Sequence, residues 1–513
     1  MDYIQAPASS AKERRSVYIQ MITWGISANS HNAAVAVFDD QRLVFATETE
    51  RWSRIKNDPN LNDALVKHLF DLSLVPDQVC WYEKPLLKTA RQIGAGQGFT
   101  LFENNIKKYL GGYIPVTKID YIGHHHSHAA GGYYTSGFED ACIIVIDAIG
   151  EFDTLTIWHG AGDKLTKLFS LEYPNSVGLF YSAMTQRIGL KPNEEEYILM
   201  GMAALGDPNR LVRDMFDDFV KFPSNDYGHI LEFKQNLHRG CMSWKPELKS
   251  IQDRYDIAAA TQRVYELIFN RILQHAVQLS SSKNLVLMGG CALNCVANGQ
   301  AYQYFNNMWI MPAPGDSGSA IGAVLAHQQK HIKWPGALLG YDIHSKVSDK
   351  TIVKYLLDNQ MCGLARGPAE FGPRALGNRS LLADPRGPNI KEQVNAIKQR
   401  QQFRPFAPAI LEELVHDYFD MPGHRDSSRY MQVVARCKHS DEFPAIVHID
   451  GTSRVQTVPN DGSPFRKLLE LWYKETGCPM LLNTSLNIKG QPMVNTEQDA
   501  AAWEQAYGVK VFM

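Results

Sequence analysis

Short apolar runs of strand length, separated by polar turns, dominate the first two thirds of this chain. Met21–Ser27 is one such run. Ala33–Phe38 follows as a strand, Asp39-Asp40-Gln41 reads as a turn, and Leu43–Thr47 returns. The theme recurs at Cys142–Ile146, a buried-type strand closing on Asp147-Ala148-Ile149-Gly150-Glu151. Thr154–Trp158, the turn Gly160-Ala161-Gly162-Asp163 and Leu165–Leu171 come next. Helical periodicity then takes over, as in Tyr181–Ile188 and Arg254–Gln278. Asn284–Met288 is a further strand, ending in Gly289-Gly290-Cys291-Ala292-Leu293-Asn294. The pattern predicts an α/β chain in which one hairpin-bearing unit occurs twice. It breaks near Trp334–Lys346, where Trp334-Pro335-Gly336 and the polar residues after it read as a linker between residues 1–345 and 346–513.

A chain of 513 residues exceeds one ordinary core, and 44% hydrophobic with 21% charged residues describes a folded protein. A net charge of −2 exerts no global pull toward nucleic acid or membrane. No apolar run reaches bilayer length, and Met1–Arg15 is polar without the apolar core of a secretory signal. Eight cysteines in so long a chain fit reduced thiols, so a cytoplasmic protein away from membranes is expected. Cys291 and Cys295 lack a second pair and read as buried thiols rather than a zinc site.

Candidate chemistry sits in two places. In His124-His125-His126-Ser127-His128 a helix would set His124 and His128 on one face, about 6 Å apart between Cβ atoms. With Asp147 at a strand end and Asp316 in Gly315-Asp316-Ser317-Gly318, they form a ligand set suited to Fe, Zn or Mn. In the last third, Arg366, Arg374, Arg379, Arg386, Lys398, Arg400 and Arg404 are interleaved with Gly and Pro. Thr452-Ser453-Arg454 and Asn483-Thr484-Ser485-Leu486-Asn487 follow. Guanidinium groups match tetrahedral oxyanions bidentately, so these segments read as converging on an anionic ligand.

The duplicated hairpin unit resembles the ATP-binding (ASKHA) fold of actin, sugar kinases and heat-shock chaperones. There, backbone N–H groups in two turns hold phosphates and a later Gly-Gly loop approaches the adenosine. Gly150 lies in one such turn here. Over nearly its whole length the chain resembles the ATP-dependent O-carbamoyltransferases, which include nodulation proteins and antibiotic-tailoring enzymes. The resemblance rests on His124-His125-x-x-His128, Val145-Ile146-Asp147, Glu196-Tyr197 with Met200-Gly201-Met202-Ala203, and the Gly289–Asn294 and Gly315–Gly318 segments. It extends to Glu370-Phe371-Gly372-Pro373-Arg374-Ala375-Leu376-Gly377, Phe403-Arg404-Pro405-Phe406-Ala407-Pro408 and Leu482–Asn487.

The resemblance implies an ASKHA domain over 1–345, akin to that of the tRNA threonylcarbamoylation system, and a YrdC-like twisted α/β domain over 346–513. It implies a divalent metal on His124, His128, Asp147 and Asp316, typically iron, with manganese or zinc as alternatives. ATP with Mg²⁺ would be a co-substrate, contacted by Gly289, Gly290 and Asn294. Carbamoyl phosphate would lie on Lys398, Arg404, Arg454, Ser485 and Asn487, with Arg374 and Asn483 beside them. Carbamate released there would pass through a closed channel and be adenylated to carbamoyladenylate, and His31 would be the general base for the acceptor hydroxyl. Two positions depart from the family pattern: Asn32 stands where Asp is usual, and Ile198 occupies a segment that commonly carries Lys.

An ASKHA-fold kinase would share the hairpins but needs neither the histidine pair nor the C-terminal cations. A tRNA threonylcarbamoyl transferase would share both domains but is expected to be more basic. A chaperone-type switch would lose the metal ligands. The acceptor stays open among sugar hydroxyls, natural-product hydroxyls and 5-hydroxymethylcytosine in DNA. Gly25–His31, Glu50–Pro59 and Trp81–Pro85 look like the short phage-type members. Arg51, Arg54, Lys56, Lys84, Lys88 and Arg91 form either a basic strip leading DNA to the site or an ordinary solvated surface. The oligomeric state is left open.

Overall fold

The computed structural model describes residues 21–98, 100–115, 118–223 and 230–513; Met1–Arg15 lies outside them. Strands β1 (Ile22–Ser27), β2 (Ala34–Asp39) and β3 (Arg42–Glu48) form an antiparallel meander. β4 (Gln78–Trp81) runs parallel beside β1, and β5 (Ile119–Tyr121) parallel beside β4. A second meander, β6 (Asp140–Gly150), β7 (Asp153–Ala161) and β8 (Lys164–Glu172), is extended by β9 (Asn284–Met288) parallel to β6 and β10 (Asn307–Trp309) parallel to β9. Both five-stranded sheets therefore have the order third-second-first-fourth-fifth, and the duplication expected from the apolar pattern is present. Every residue of β1 is buried, as a central strand covered on both faces requires.

The helices that position the site are α1 (Pro85–Gly94), α2 (His124–Ser136), α3 (Val177–Arg187), α4 (Glu196–Met202), α5 (Ile251–Leu279) and α6 (Ser319–Gln328). α5 opens with a capping box, Ser250 and Asp253 exchanging bonds, a device worth about 1 kcal/mol. α2 and α6 pack closely through small residues including Gly131 and Gly322, and α6 covers β1.

The last third builds a six-stranded sheet in the spatial order Gln456–Val458, Ala407–Leu411, Met480–Ser485, Arg379–Ala383, Met361–Ala365, Val511–Phe512. α7 (Ile390–Ile397) and the helix Pro464–Thr476 flank it. Successive residues alternate between two cores. Leu381, Ile410 and Leu482 enter one, while Leu382, Ala409 and Leu481 enter the other, the period of two that a pleated strand imposes.

Two expectations need correction. The stretch read as a linker contains the strand Leu338–Ile343, which pairs antiparallel with Gly367–Glu370; its apolar residues were masked by the flanking Pro, Gly and His. The residues Asp147–Gly150 are not a phosphate turn. β6 continues through them, with a register irregularity after Ile146, and the turn falls at Glu151-Phe152. The described cysteines are all free, Cys291 half-buried and Cys295 buried, as their spacing implied.

Candidate active site

α2 starts where Glu151 receives it. Glu151, held at φ 35° in the β6–β7 turn, accepts the His124 N–H with both carboxylate oxygens at 3.1 Å and the Lys84 N–H at 2.6 Å. A carboxylate suits the positive end of a helix. The helix then brings His124 Nε2 and His128 Nε2 within 3.1 Å of each other. Asp147 Oδ2, from β6, lies 3.3 Å from the first and 3.1 Å from the second. Asp316 Oδ1, from the turn preceding α6, lies 3.5 Å from both. Asp147 Oδ1 faces away and accepts the N–H groups of Ala148 at 2.8 Å and Gly290 at 3.4 Å. His125 and His126 turn elsewhere, to Thr156 Oγ1 at 2.9 Å and to a stack on Trp158.

Burial pushes the His124 pKa down, but Asp316 and Asp147 outweigh it and raise it to about 9. Burial pushes Asp147 the other way, yet His124 and His128 hold its carboxyl well below the usual range. Two ring nitrogens 3.1 Å apart cannot both carry protons aimed at each other. Donor atoms about 2.1 Å from one ion stand about 3.0 Å apart at right angles and about 3.4 Å apart at the tetrahedral angle. The separations of 3.1, 3.3 and 3.5 Å match that geometry. The tetrad therefore fits a divalent ion, and its N and O donors suit Fe²⁺, Mn²⁺ or Zn²⁺.

Asp147 and Asp316 open onto a cavity of about 1160 Å³ lined by both halves of the chain. Gly290 and Asn294 line it, and Asn294 also bonds Gln262 at 3.0 Å and caps the following helix. Gly289 and Gly150 do not line it. Gly289 has φ 89°, and a Cβ there would stand 2.2 Å from Ile146 O, so glycine lets the loop pass the strand. A Cβ on Gly150 would stand 2.4 Å from His124 Cδ2, so glycine makes room for that ring.

Elsewhere the cavity wall is cationic. Lys398, Arg400, Arg404, Arg374 and Arg454 line it with Asn483, Ser485 and Asn487. Lys398 Nζ meets Ser485 Oγ at 3.0 Å and the Asn487 side chain. The Arg404 guanidinium lies 4.9 Å from the centre of the Tyr197 ring, from α4, so the two halves meet within the wall. None of these cations pairs with a carboxylate among the described residues. Burial, with Arg400 and Arg404 adding to it, holds the Lys398 ammonium well below its ordinary range, and burial with Arg454 lowers Arg374 to about 9. A buried ammonium and half-buried guanidinium groups without carboxylate partners stabilise a multiply charged anion.

Other arginines of that run have structural partners. Arg366 pairs with Asp349 at 2.7 Å and Arg386 with Asp384 at 2.8 Å, while Arg379 donates to the carbonyls of Tyr341 at 2.7 Å and Asn495 at 3.0 Å. His31 lines the cavity, its Nε2 buried and without a hydrogen bond among the described residues. Asn32 has φ 48°, a conformation that Asn and Asp both adopt. Ile198 is fully buried in the core, so its position could not deliver a lysine to the cavity. Tyr197 and His448 also line the wall. Tyr197 stood in a quoted motif without a role, and His448 was missed, because neither belongs to a spacing that marks chemistry.

Arg51, Arg54, Lys56, Lys88 and Arg91 are held by partners within the protein, and Lys56, Lys88 and Arg91 also line the cavity. Arg51 is buried against Glu48 at 3.6 Å and donates to Gly372 O at 2.7 Å; Arg54 donates to Met493 O at 2.6 Å. Lys88 pairs with Glu83 at 2.7 Å, Arg91 donates to Glu151 O at 3.0 Å, and Lys56 pairs with Glu50 at 2.8 Å. Only Lys84 is classed as exposed without an ion pair among the described residues. No helix of the described residues is long and apolar enough to cross a membrane.

Residues 97–325 match the family model of the carbamoyltransferase N-terminus, and residues 353–513 that of the carbamoyltransferase C-terminus. The chain is 32% identical to an uncharacterised protein of Synechocystis sp. over 93% of each. It is 32% identical to the nodulation protein NolO of Bradyrhizobium diazoefficiens, over 74% of this chain and 75% of that one. With the 3'-hydroxymethylcephem-O-carbamoyltransferase of Amycolatopsis lactamdurans it shares 26% identity over 93% and 95%. Among solved structures, full-length HypF in its phosphate- and nucleotide-bound form aligns over 60% of this chain and 46% of that one, with a TM-score of 0.35 and 10% identity. The chain belongs to the carbamoyltransferase family.

Proposed function

We propose that this enzyme takes a carbamoyl group from carbamoyl phosphate, activates it with ATP as carbamoyladenylate, and transfers it to an alcohol. The observation that carries the reading is one cavity shared by both halves of the chain, lined by unpaired cations and by Asp147 and Asp316 of the histidine–aspartate tetrad. Residues 346–513 would release carbamate and phosphate from carbamoyl phosphate and water. Lys398, Arg404 and Arg454 would neutralise the departing phosphate, with Ser485 and Asn487 fixing the ammonium. Residues 1–345 would join carbamate to the α-phosphorus of MgATP, releasing pyrophosphate, with Gly290 and Asn294 against the nucleotide. His124, His128, Asp147 and Asp316 would hold a divalent ion, iron by family resemblance, which supplies positive charge to the polyphosphate. His31 would take the acceptor's proton as its oxygen attacks the carbamoyl carbon, leaving a carbamate ester and AMP.

A sugar or natural-product hydroxyl is the acceptor class we favour, because Arg51, Lys88 and Arg91 are engaged with protein partners and leave few free charges to hold a DNA backbone. The reading places the protein in the cytoplasm, where ATP is available. The test is product stoichiometry with acceptor present: one orthophosphate, one pyrophosphate and one AMP per carbamate ester. ADP as the nucleotide product would instead identify a kinase.

A further inference from the structure

A second group of metal-type donors lies outside the cavity. Cys80 on β4 and Asp120 on β5 are direct neighbours in the parallel pairing. Gln78, two residues before Cys80, presents its side chain on the same face. α6 packs across β1 and β4, and its last turn brings His327 over this edge. Donor atoms of Cys80, Asp120 and His327 all lie within 4.8 Å of one another. His327 Nδ1 is 3.7 Å from Asp120 Oδ2, and its Nε2 is 3.2 Å from the Gln78 amide nitrogen, which also meets Asp120 Oδ2.

We propose that Cys80, Asp120 and His327, completed by the Gln78 amide oxygen, bind a second divalent cation of the thiophilic Zn²⁺ class. The Cys80 side chain is fully buried and makes no hydrogen bond among the described residues, yet it faces a carboxylate and an imidazole. The Gln78 amide nitrogen donates to Asp120, and with a cation between them a flip would exchange that nitrogen for an oxygen and supply a fourth donor. One sulfur, one imidazole nitrogen and two oxygens make a four-coordinate set that zinc accepts. Binding exchanges the thiol proton for the ion: Cys–SH and M²⁺ give the metal thiolate and one released H⁺. Thiolate and carboxylate then balance the ion's charge, and the competing cation is Lys118, 3.7 Å from Asp120. Asp120 and His327 are 32% and 34% exposed in their side chains, which gives an ion access from solvent while Cys80 closes the inner side.

The ion clamps the edge of the first sheet to the C-terminal turn of α6. The N-terminal end of that helix follows directly on the turn carrying Asp316 of the tetrad.

The test uses the full chain, stripped of metal and titrated with Co²⁺. The tetrad contains no sulfur, so a thiolate-to-cobalt charge-transfer band that Cys80→Ser removes reports this site and does not depend on the proposed reaction. The band should saturate by two equivalents in the unaltered protein, where the tetrad competes for cobalt, and at one equivalent in His124→Ala, and disappear in Cys80→Ser and in His327→Gln. Zinc content should fall by one ion per chain in the same two variants. His327→Gln alters a partly exposed side chain and guards against a packing defect in Cys80→Ser. Absence of the band in the unaltered protein, or its persistence in both variants, would overturn the assignment.

Discussion

His128 is fully buried, and its Nε2 meets His124, Asp147 and Asp316 within 3.5 Å, an arrangement that fits the proposed ion. His128→Ala should weaken Fe²⁺ binding, measured by competition with a chelator, by more than the roughly 100-fold that loss of an outer-sphere partner costs. Gly150→Ala tests the same centre without removing a ligand. The added methyl group collides with the His124 ring, so melting should show a loss of about 1–3 kcal/mol together with weaker metal binding. Lys398 gives a pH signature. Its pKa is below the ordinary 10.5 in the folded state, so between the two values the unfolded chain holds a proton that the native chain lacks. Stability of the ligand-free protein should therefore rise with pH across that window, and less so in Lys398→Met. A phosphate dianion favours the charged ammonium. Binding of carbamoyl phosphate should take up protons, visible calorimetrically in buffers of different ionisation heat, and should weaken as pH rises. At this scale the tetrad was legible because i, i+4 spacing has one geometric meaning. Gly150 and Gly289 were not: both glycines lie beside the site to let other atoms approach, a reason no local pattern carries.

Among the elements that build the site, β6, β9 and α5 lie where buried runs and helical periodicity placed them, whereas α2 was expected only from the i, i+4 spacing of His124 and His128. The strand Leu338–Ile343 was not expected, since its partner Gly367–Glu370 is remote in sequence and only tertiary pairing reveals it. The basic residues after β3 show the same limit. Charge alone suggested solvent or nucleic acid, whereas Arg51 reaches across to Gly372 and joins the first half of the chain to the second. Arg51→Ala leaves Glu48 without its buried counter-ion and should cost about 3–5 kcal/mol in chemical denaturation. A change within experimental error would mean that the pair is solvated and the strip reading deserves revival.

For the molecule as a whole, the duplicated sheets and the C-terminal sheet followed from pattern and resemblance. That they wall one cavity did not, because a shared cavity depends on side chains such as Tyr197 and Arg404 meeting between distant segments. On the proposed mechanism, carbamate is made at the cationic wall and adenylated beside the tetrad. Lys398→Met should therefore abolish carbamoyladenylate formation from carbamoyl phosphate and MgATP, and so should His124→Ala. Ammonium bicarbonate, which contains carbamate at equilibrium, bypasses the first step only. Mass spectrometry should then find carbamoyladenylate restored in Lys398→Met and still missing in His124→Ala. Restoration in both variants, or in neither, would contradict the division of labour.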